Sequence, residues 1–319
     1  MPALLLILAC ALWAVSFPLV KVLHLEQSAR LGDGVSSVFL ASWMQVARFG
    51  LSAVMLLPFV FGRNRPTGNE LRQGVVLAFW GGAGMWLQAD ALAYTEASTS
   101  AFLTQAYCIF LPLWACVRTR RGPGMRVSLA TVMVLAGGAI LSGMRPDDLR
   151  IGRGEMETLL AAFLFTFQIL CLENPRYKGN RGIPVSFVMF VAIAVMFVPV
   201  TVGTGPDLKA CVEAGASVES FVLVASLALF CSVGAYVLMN VWQPRVPATE
   251  AGLIYTIEPV FTAVYVLFLP VVLGRFVGES YPNEVVTVSL VAGGGLILGA
   301  NVLMQWRKAP HVVPGGAVE

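Results

Sequence analysis

Ten stretches of apolar residues follow one another along the chain, separated by short polar breaks. They run approximately over 3–22, 38–61, 74–94, 97–117, 126–143, 157–173, 185–203, 217–240, 249–272 and 285–305. A helix needs about 20 mostly apolar residues to cross the hydrocarbon core of a bilayer. The pattern therefore predicts an all-α integral membrane protein with ten transmembrane helices.

The last five stretches echo the first five. Leu135-Ala136-Gly137-Gly138-Ala139-Ile140-Leu141 matches Val291-Ala292-Gly293-Gly294-Gly295-Leu296-Ile297, and Ser100-Ala101-Phe102-Leu103 matches Glu250-Ala251-Gly252-Leu253. In the same alignment Asp90 falls opposite Asn240 and Cys108 opposite Glu258. Five is odd, so a second copy of five spans enters the membrane from the other side. Two inverted five-helix repeats are the expectation, over residues 1–145 and 153–306, an arrangement suited to alternating access. Residues 307–319 read as a disordered cytoplasmic tail.

Composition agrees, with 57% of residues hydrophobic and 12% charged against roughly 25% charged in soluble domains. The connections leave no room for a second, soluble domain. Lys and Arg are enriched in short cytoplasmic loops. With the N-terminus inside, thirteen of these residues fall on inner connections and seven on outer ones. Both termini are thus placed in the cytoplasm, with the chain in the inner (plasma) membrane. Of six cysteines, Cys10, Cys108, Cys116, Cys171 and Cys231 lie in apolar spans and only Cys211 in a connection. They read as small apolar fillers. The two histidines, His24 and His311, fall outside the spans, and no metal-type spacing or nucleic-acid motif appears.

Leu12-Trp13-Ala14-Val15-Ser16-Phe17-Pro18, Arg48-Phe49, Ile257-Glu258-Pro259-Val260-Phe261, Gly278-Glu279 and the two Ala-Gly-Gly runs form a recognisable set. On these motifs the chain resembles EamA-type permeases of the drug/metabolite transporter superfamily, over about residues 3–305. The resemblance implies a ten-helix inner-membrane permease exporting small metabolites, often amino acids. Two departures stand out: Arg121-Gly122-Pro123 replaces the Gly-Glu often found in the first repeat, and Met189 stands opposite Arg48. The halves have diverged, so a chemically asymmetric substrate path is expected.

Charges at mid-span cost about 2.5–3.5 kcal/mol on insertion scales, so each needs a partner, a cavity or a task. Arg48, near the middle of the second span, either attracts an anionic substrate group or pairs with Asp90 or Glu258. Asp90 lies in the outer third of the third span. Glu258, at the midpoint of the ninth, either binds an amine, carries a coupling proton, or is held by Arg48, Tyr255 or Thr256. Pro259 beside it, like Pro18 in the first span, removes a backbone donor and kinks its helix. Gln45, Gln88, Gln105, Gln168 and Asn240 lie at similar depth and suggest a polar centre, although each singly fits a helix-bridging role. Trp13, Trp80, Trp86, Tyr107, Tyr236 and Tyr255 are candidate walls of a pocket, or ordinary packing. Trp43 and Trp306 read as interfacial anchors, and Glu279 as a cap on the turn before the tenth span. Gly137 and Gly138, with Gly294, Gly295 and Gly299, let backbones approach closely. The fifth and tenth spans are therefore expected to pack together, joining halves or protomers. Gly81, Gly82 and Gly84 form a further small-residue patch, a hinge or a packing face.

These residues predict a secondary carrier without cofactor or metal. It would export a small metabolite, amino acids among the candidates, among membrane lipids, as monomer or homodimer. Arg48, Glu258, Asp90, Trp13, Trp86, Gln105, Gln168, Asn240 and Tyr255 are the candidate substrate-binding or proton-coupling residues. A flippase or carrier for lipid-linked or nucleotide-linked sugars is the alternative. An intramembrane enzyme is the alternative of another class, and the chain lacks a paired-histidine metal motif, a Gly-x-Ser-x-Gly elbow and an aspartate dyad.

Overall fold

The computed structural model describes residues 2–32, 34–120, 122, 124–141, 151–246 and 254–305, and among these it is helical without strands. Trp306, His311, the 307–319 tail and the Glu250–Leu253 half of one repeat match lie outside the described residues. A helix falls on each of the ten apolar stretches. α1 runs Pro2–Ala14 and Ser16–Leu31, α2 Ser37–Leu56, and α3 Gly68–Leu77, Ala78–Gly82 and Ala83–Ala91. α4 is Ala97–Thr104 and Tyr107–Thr119, α5 Met125–Leu141, α6 Arg153–Leu172 and α7 Gly182–Thr204. α8 is Val218–Ser226, Leu227–Gly234 and Ala235–Trp242, α9 Glu258–Tyr265 and Leu269–Val277, and α10 Val288–Gln305. Six of the described helices are long and apolar enough to cross a membrane, or seven with the two parts of α9, bent by 59°, taken as one span. α5 and α10 are shorter apolar helices. The expected count of ten is compatible with this set.

Outward-facing Leu4, Val54, Phe79, Val195, Val202 and Phe230 leave an apolar surface, as lipid contact requires. Inside, the packing is reciprocal. α2 lies against α7 and α5 against α10; α3–α6 is matched by α8–α1, α4–α6 by α9–α1, and α3–α7 by α8–α2. Exchange of two five-helix halves would give this pairing. The irregularities also correspond: wide π-type turns interrupt α3 at Ala78–Gly82 and α8 at Leu227–Gly234, and breaks fall at 105–106 in α4 and 256–257 in α9.

Glycine explains the closest contacts. A Cβ on Gly137 would lie 2.6 Å from the Gly293 carbonyl, and one on Gly293 would lie 2.7 Å from the Gly137 carbonyl. The α5 and α10 backbones touch there. Gly138 and Gly294 meet Leu103 and Phe102, and Gly299 meets Met133, whereas Gly295 faces open space. Gly81 and Gly84 receive Gln168 and Phe165 of α6, and Gly82 receives Ile193 of α7. The α3 glycines are thus a packing face. Prolines account for two of the interruptions: Pro18 has no N–H to give Ala14, where the first part of α1 ends, and Pro259 none to give Tyr255 at the α9 break. At the end of α9, Gly278 takes φ 79° and lets the Glu279 backbone N–H reach the Gly274 carbonyl. That cap is made by backbone atoms and Gly278.

Charges gather at the two ends of the bundle. At one end the Glu70 carboxylate accepts from Arg181 Nε at 2.8 Å and Nη2 at 2.9 Å, and Arg181 also donates to the Arg65 carbonyl. Asn69 and Gln73 bind Asn180 beside them. At the other end Lys21 pairs with Glu96 and Arg153 with Asp90 and Glu157, while Glu26 and Arg30 tie α1 to Ser220 at the start of α8. His24, expected outside the spans, is buried within the 30-residue run Pro2–Leu31. The first helix extends further than its apolar core because Glu26 and Arg30 satisfy each other one turn apart. Cys211 sits in a short helix, Leu208–Glu213, and Trp43 donates to its carbonyl.

The Arg181 guanidinium holds the Glu70 carboxyl near pKa 2, below its ordinary 4.5. A carboxyl depressed on folding contributes stability that is complete above the unfolded value and lost as pH falls through the folded one. Purified protein should therefore lose part of its thermal stability between about pH 4.5 and 2, and Glu70→Gln should flatten that part of the profile. An unchanged profile in Glu70→Gln contradicts the role given to this pair. Gly137→Leu should destabilise by at least the 1–3 kcal/mol typical of overpacking, lowering the melting temperature, while Gly295→Leu should leave it nearly unchanged.

Candidate functional site

A cavity of about 80 Å³ lies at the centre of the helices, lined by residues of α1, α2, α3, α4, α6, α8 and α9. That is several times the roughly 10–15 Å³ one water needs. α5 and α10 contribute no side chain to it, in keeping with their role as packing helices. Four interruptions bring polar groups to this depth. The Pro18-linked break exposes Trp13 and Ser16 of α1, whose hydroxyl turns back to the Trp13 carbonyl at 2.6 Å. The breaks of α4 and α9 place Thr104, Tyr107, Tyr255 and Glu258 on the wall. The π-type turn of α8 places Tyr236 there, and α3 supplies Met85 and Gln88.

Arg48 is the one lining residue with a permanent positive charge, and it is 5% exposed. Its Nε donates to Ser232 Oγ at 2.7 Å and its Nη2 to the Cys231 carbonyl at 3.2 Å. Both acceptors lie in the wide turn of α8, where the backbone ladder is loosened and carbonyls become accessible. Phe49 packs under the guanidinium, 5.0 Å from its ring centre. Among the described residues no ion pair joins Arg48 to Asp90 or Glu258. Asp90 instead meets Arg153 Nη2 at 2.5 Å near the end of the bundle, so it is removed from the cavity. Arg48 thus keeps its charge through hydrogen bonds to neutral acceptors and remains electrostatically available to an anion.

Glu258 borders the same cavity and makes no side-chain hydrogen bond or ion pair among the described residues. The expected bond from Tyr255 is absent: the Tyr255 hydroxyl goes to Gln243 Oε1 at 2.7 Å. Trp13 forms the core of the aromatic wall, with ring centres 5.0 Å from Tyr236 and 5.9 Å from Tyr255. Its indole N–H and the Gln168 Nε2 are buried donors without a partner among the described residues. Gln88 donates to Thr104 Oγ1 at 2.7 Å, and Tyr236 points its hydroxyl at the Met85 sulfur.

Of the nine residues singled out by sequence, Arg48, Glu258, Trp13, Gln168 and Tyr255 share this wall. Asp90, Trp86, Gln105 and Asn240 do not. Trp86 packs on Phe197, 5.7 Å between ring centres; Gln105 is buried at the α4 break; Asn240 binds Ser186 of α7. Alternate turns of one helix face different neighbours, and depth alone does not reveal which. Ser16, Gln88, Thr104, Tyr107 and Tyr236 complete the wall. Their signal was the clustering of polar and aromatic residues beside helix interruptions. Among the described residues no cluster of His, Cys, Asp and Glu suited to a metal occurs.

Comparison with known proteins points the same way. An uncharacterized transporter of Archaeoglobus fulgidus is 23% identical over 273 residues, spanning 83% of this chain and 88% of that one. A crystal structure of a protein with 14% sequence identity superposes with a TM-score of 0.54 over 92% of this chain and 95% of its own, which speaks for the fold. Residues 1–143 match the EamA-like transporter family. The chain is an integral membrane transporter whose residues 1–143 are similar to the EamA-like transporter family.

Proposed function

We propose that the protein is a secondary transporter that exports small metabolites, amino acids among them, by alternating access in the cell inner membrane. The observation that supports it most is the juxtaposition in one cavity of Arg48 and Glu258, a cation and a carboxyl not joined to each other. A zwitterion meets both: its carboxylate the Arg48 guanidinium, its ammonium Glu258. Ionised donors and acceptors form the stronger hydrogen bonds, and a low-dielectric surrounding strengthens them further. The Trp13 and Gln168 donors add neutral contacts, and the Trp13–Tyr236–Tyr255 cluster gives the substrate side chain an aromatic surface.

Residues 1–145 and 153–306 act in this reading as inverted repeats. Each supplies helices to both sides of the cavity, and rocking of one set against the other exposes it to alternate faces. The end bearing Arg65, Arg176 and Arg181 is the cytoplasmic one under the positive-inside rule. Glu258 also carries the coupling proton in this reading, since protonation removes its attraction for the ammonium. A cavity of about 80 Å³ suits a small zwitterion better than a sugar linked to a nucleotide or a lipid.

Uptake of a labelled amino-acid panel into proteoliposomes tests the reading. The parent protein should transport at least one panel member. Arg48→Ala, folded as judged by size-exclusion chromatography and melting temperature, should lower uptake about 10- to 100-fold, as expected for loss of a charged hydrogen bond. A response to an imposed pH gradient should vanish in Glu258→Gln. Failure of a folded parent to transport any panel member contradicts the amino-acid reading and favours lipid-linked or nucleotide-linked sugars.

A further inference from the structure

A second, larger polar cleft opens at the end of the bundle that carries Arg176 and Arg181. It measures about 570 Å³ and is bordered by α3, α7, α8 and the segment joining α6 to α7. Gln73, Glu173, Lys178, Asn180, Asn240 and Gln243 supply its polar lining. It shares no lining residue with the central cavity.

Two of these residues are buried yet incompletely bonded. Asn240 is 5% exposed and Gln243 3% exposed, and Asn240 Oδ1 and Gln243 Nε2 have no partner among the described residues. The Asn240 orientation is set by its neighbour. Ser186 gives its only hydroxyl proton to the Gly182 carbonyl at 2.8 Å, so it accepts from Asn240 Nδ2 at 2.8 Å. That leaves the Asn240 oxygen as an acceptor. Gln243 is engaged through Oε1 by the Tyr255 hydroxyl, which leaves Nε2 as a donor. Burying a polar amide atom without a hydrogen bond costs about 1–3 kcal/mol, so neither is retained cheaply as mere packing.

The same residue that completes the cleft also joins it to the central site. Tyr255 lines the central cavity, Gln243 lines the cleft, and one 2.7 Å hydrogen bond connects them. We propose that the cleft is a vestibular binding site, in which Asn240 Oδ1 and Gln243 Nε2 hold the transported zwitterion before it enters the central cavity. Asn240 Oδ1 faces the ammonium and Gln243 Nε2, with Lys178, the carboxylate. The Tyr255–Gln243 hydrogen bond is the partition. A solute that bonds Gln243 competes with Tyr255 for it, so occupancy of the vestibule loosens the barrier ahead. This proposal rests on the amino-acid transporter reading above.

Equilibrium binding of radiolabelled L-serine to the purified full chain tests it. The parent should bind two molecules per chain. Arg48→Ala should remove the central one and retain the vestibular one. Gln243→Glu, which keeps an oxygen for Tyr255 but removes the donor, and Asn240→Ala should each weaken the second site about five- to tenfold, as loss of one hydrogen bond predicts, and leave the first intact. Tyr255→Phe should keep the second site while speeding exchange between bound and free label. One site per chain, lost in Arg48→Ala and untouched by Asn240→Ala or Gln243→Glu, overturns the vestibule and spares the transporter reading. A single L-serine site in a folded parent that takes up L-serine into proteoliposomes likewise overturns the vestibule, and failure to take up any panel member overturns the transporter reading beneath it.

Discussion

Inside a bilayer no water completes an unpaired polar group, and the placement of Arg48 depends on how that requirement is met. Its guanidinium lies among apolar helices, and its hydrogen bonds go to Ser232 and to a carbonyl of the wide turn in α8. A regular α-helix keeps its carbonyls in its own ladder. The π-type turn releases them and widens α8 toward α2, where Ser52 also reaches the Ala228 carbonyl at 3.4 Å. The charge is thereby held without a counter-charge, and an anion arriving in the cavity meets a cation that no carboxylate has neutralised.

The same physical logic organises the other interruptions. A straight helix presents apolar side chains and no free backbone groups. Breaks at Pro18 and Pro259, at Gln105–Ala106 and in the two wide turns turn several helices inward at one depth. The cavity sits among them, while the uninterrupted α5 and α10 lie aside, fastened by the mutual contact of Gly137 and Gly293. Charged contacts occupy the ends, with Glu70–Arg181 at one and Lys21–Glu96 and Arg153–Asp90 at the other. In the alternating-access reading proposed above, opening a face would part the contacts at that end of the bundle and leave the α5–α10 packing closed.

Much of the fold was legible because membrane insertion writes its demand in long apolar runs. The ten segments, the α5–α10 glycine contact and the positions of Arg48 and Glu258 at the central cavity all came from that grammar. What escaped it was direction. Asp90 and Arg48 lie at depths that allow a pair, yet Asp90 faces α6 and takes Arg153. Asn240 and Gln168 both looked central, but one turned to Ser186 and the vestibule while the other turned to the cavity. His24 falls outside the first span by sequence because hydropathy drops after residue 22, whereas the helix continues to Leu31 on polar contacts. The wide turns carry no sequence signature of their own. Small residues and Ser in α8 permit one but also permit an ordinary helix.

In the transport reading proposed above, the cavity bordered by Arg48, Glu258 and Gln168 carries the substrate to both faces of the membrane. Single cysteines at Gln88 and Gln168, in a chain with its native cysteines replaced, would be labelled by a membrane-impermeant thiol reagent added to one side at a time. Labelling is expected from either side, and more slowly in the presence of a transported amino acid. Labelling confined to one side, or unaffected by substrate, would contradict that reading.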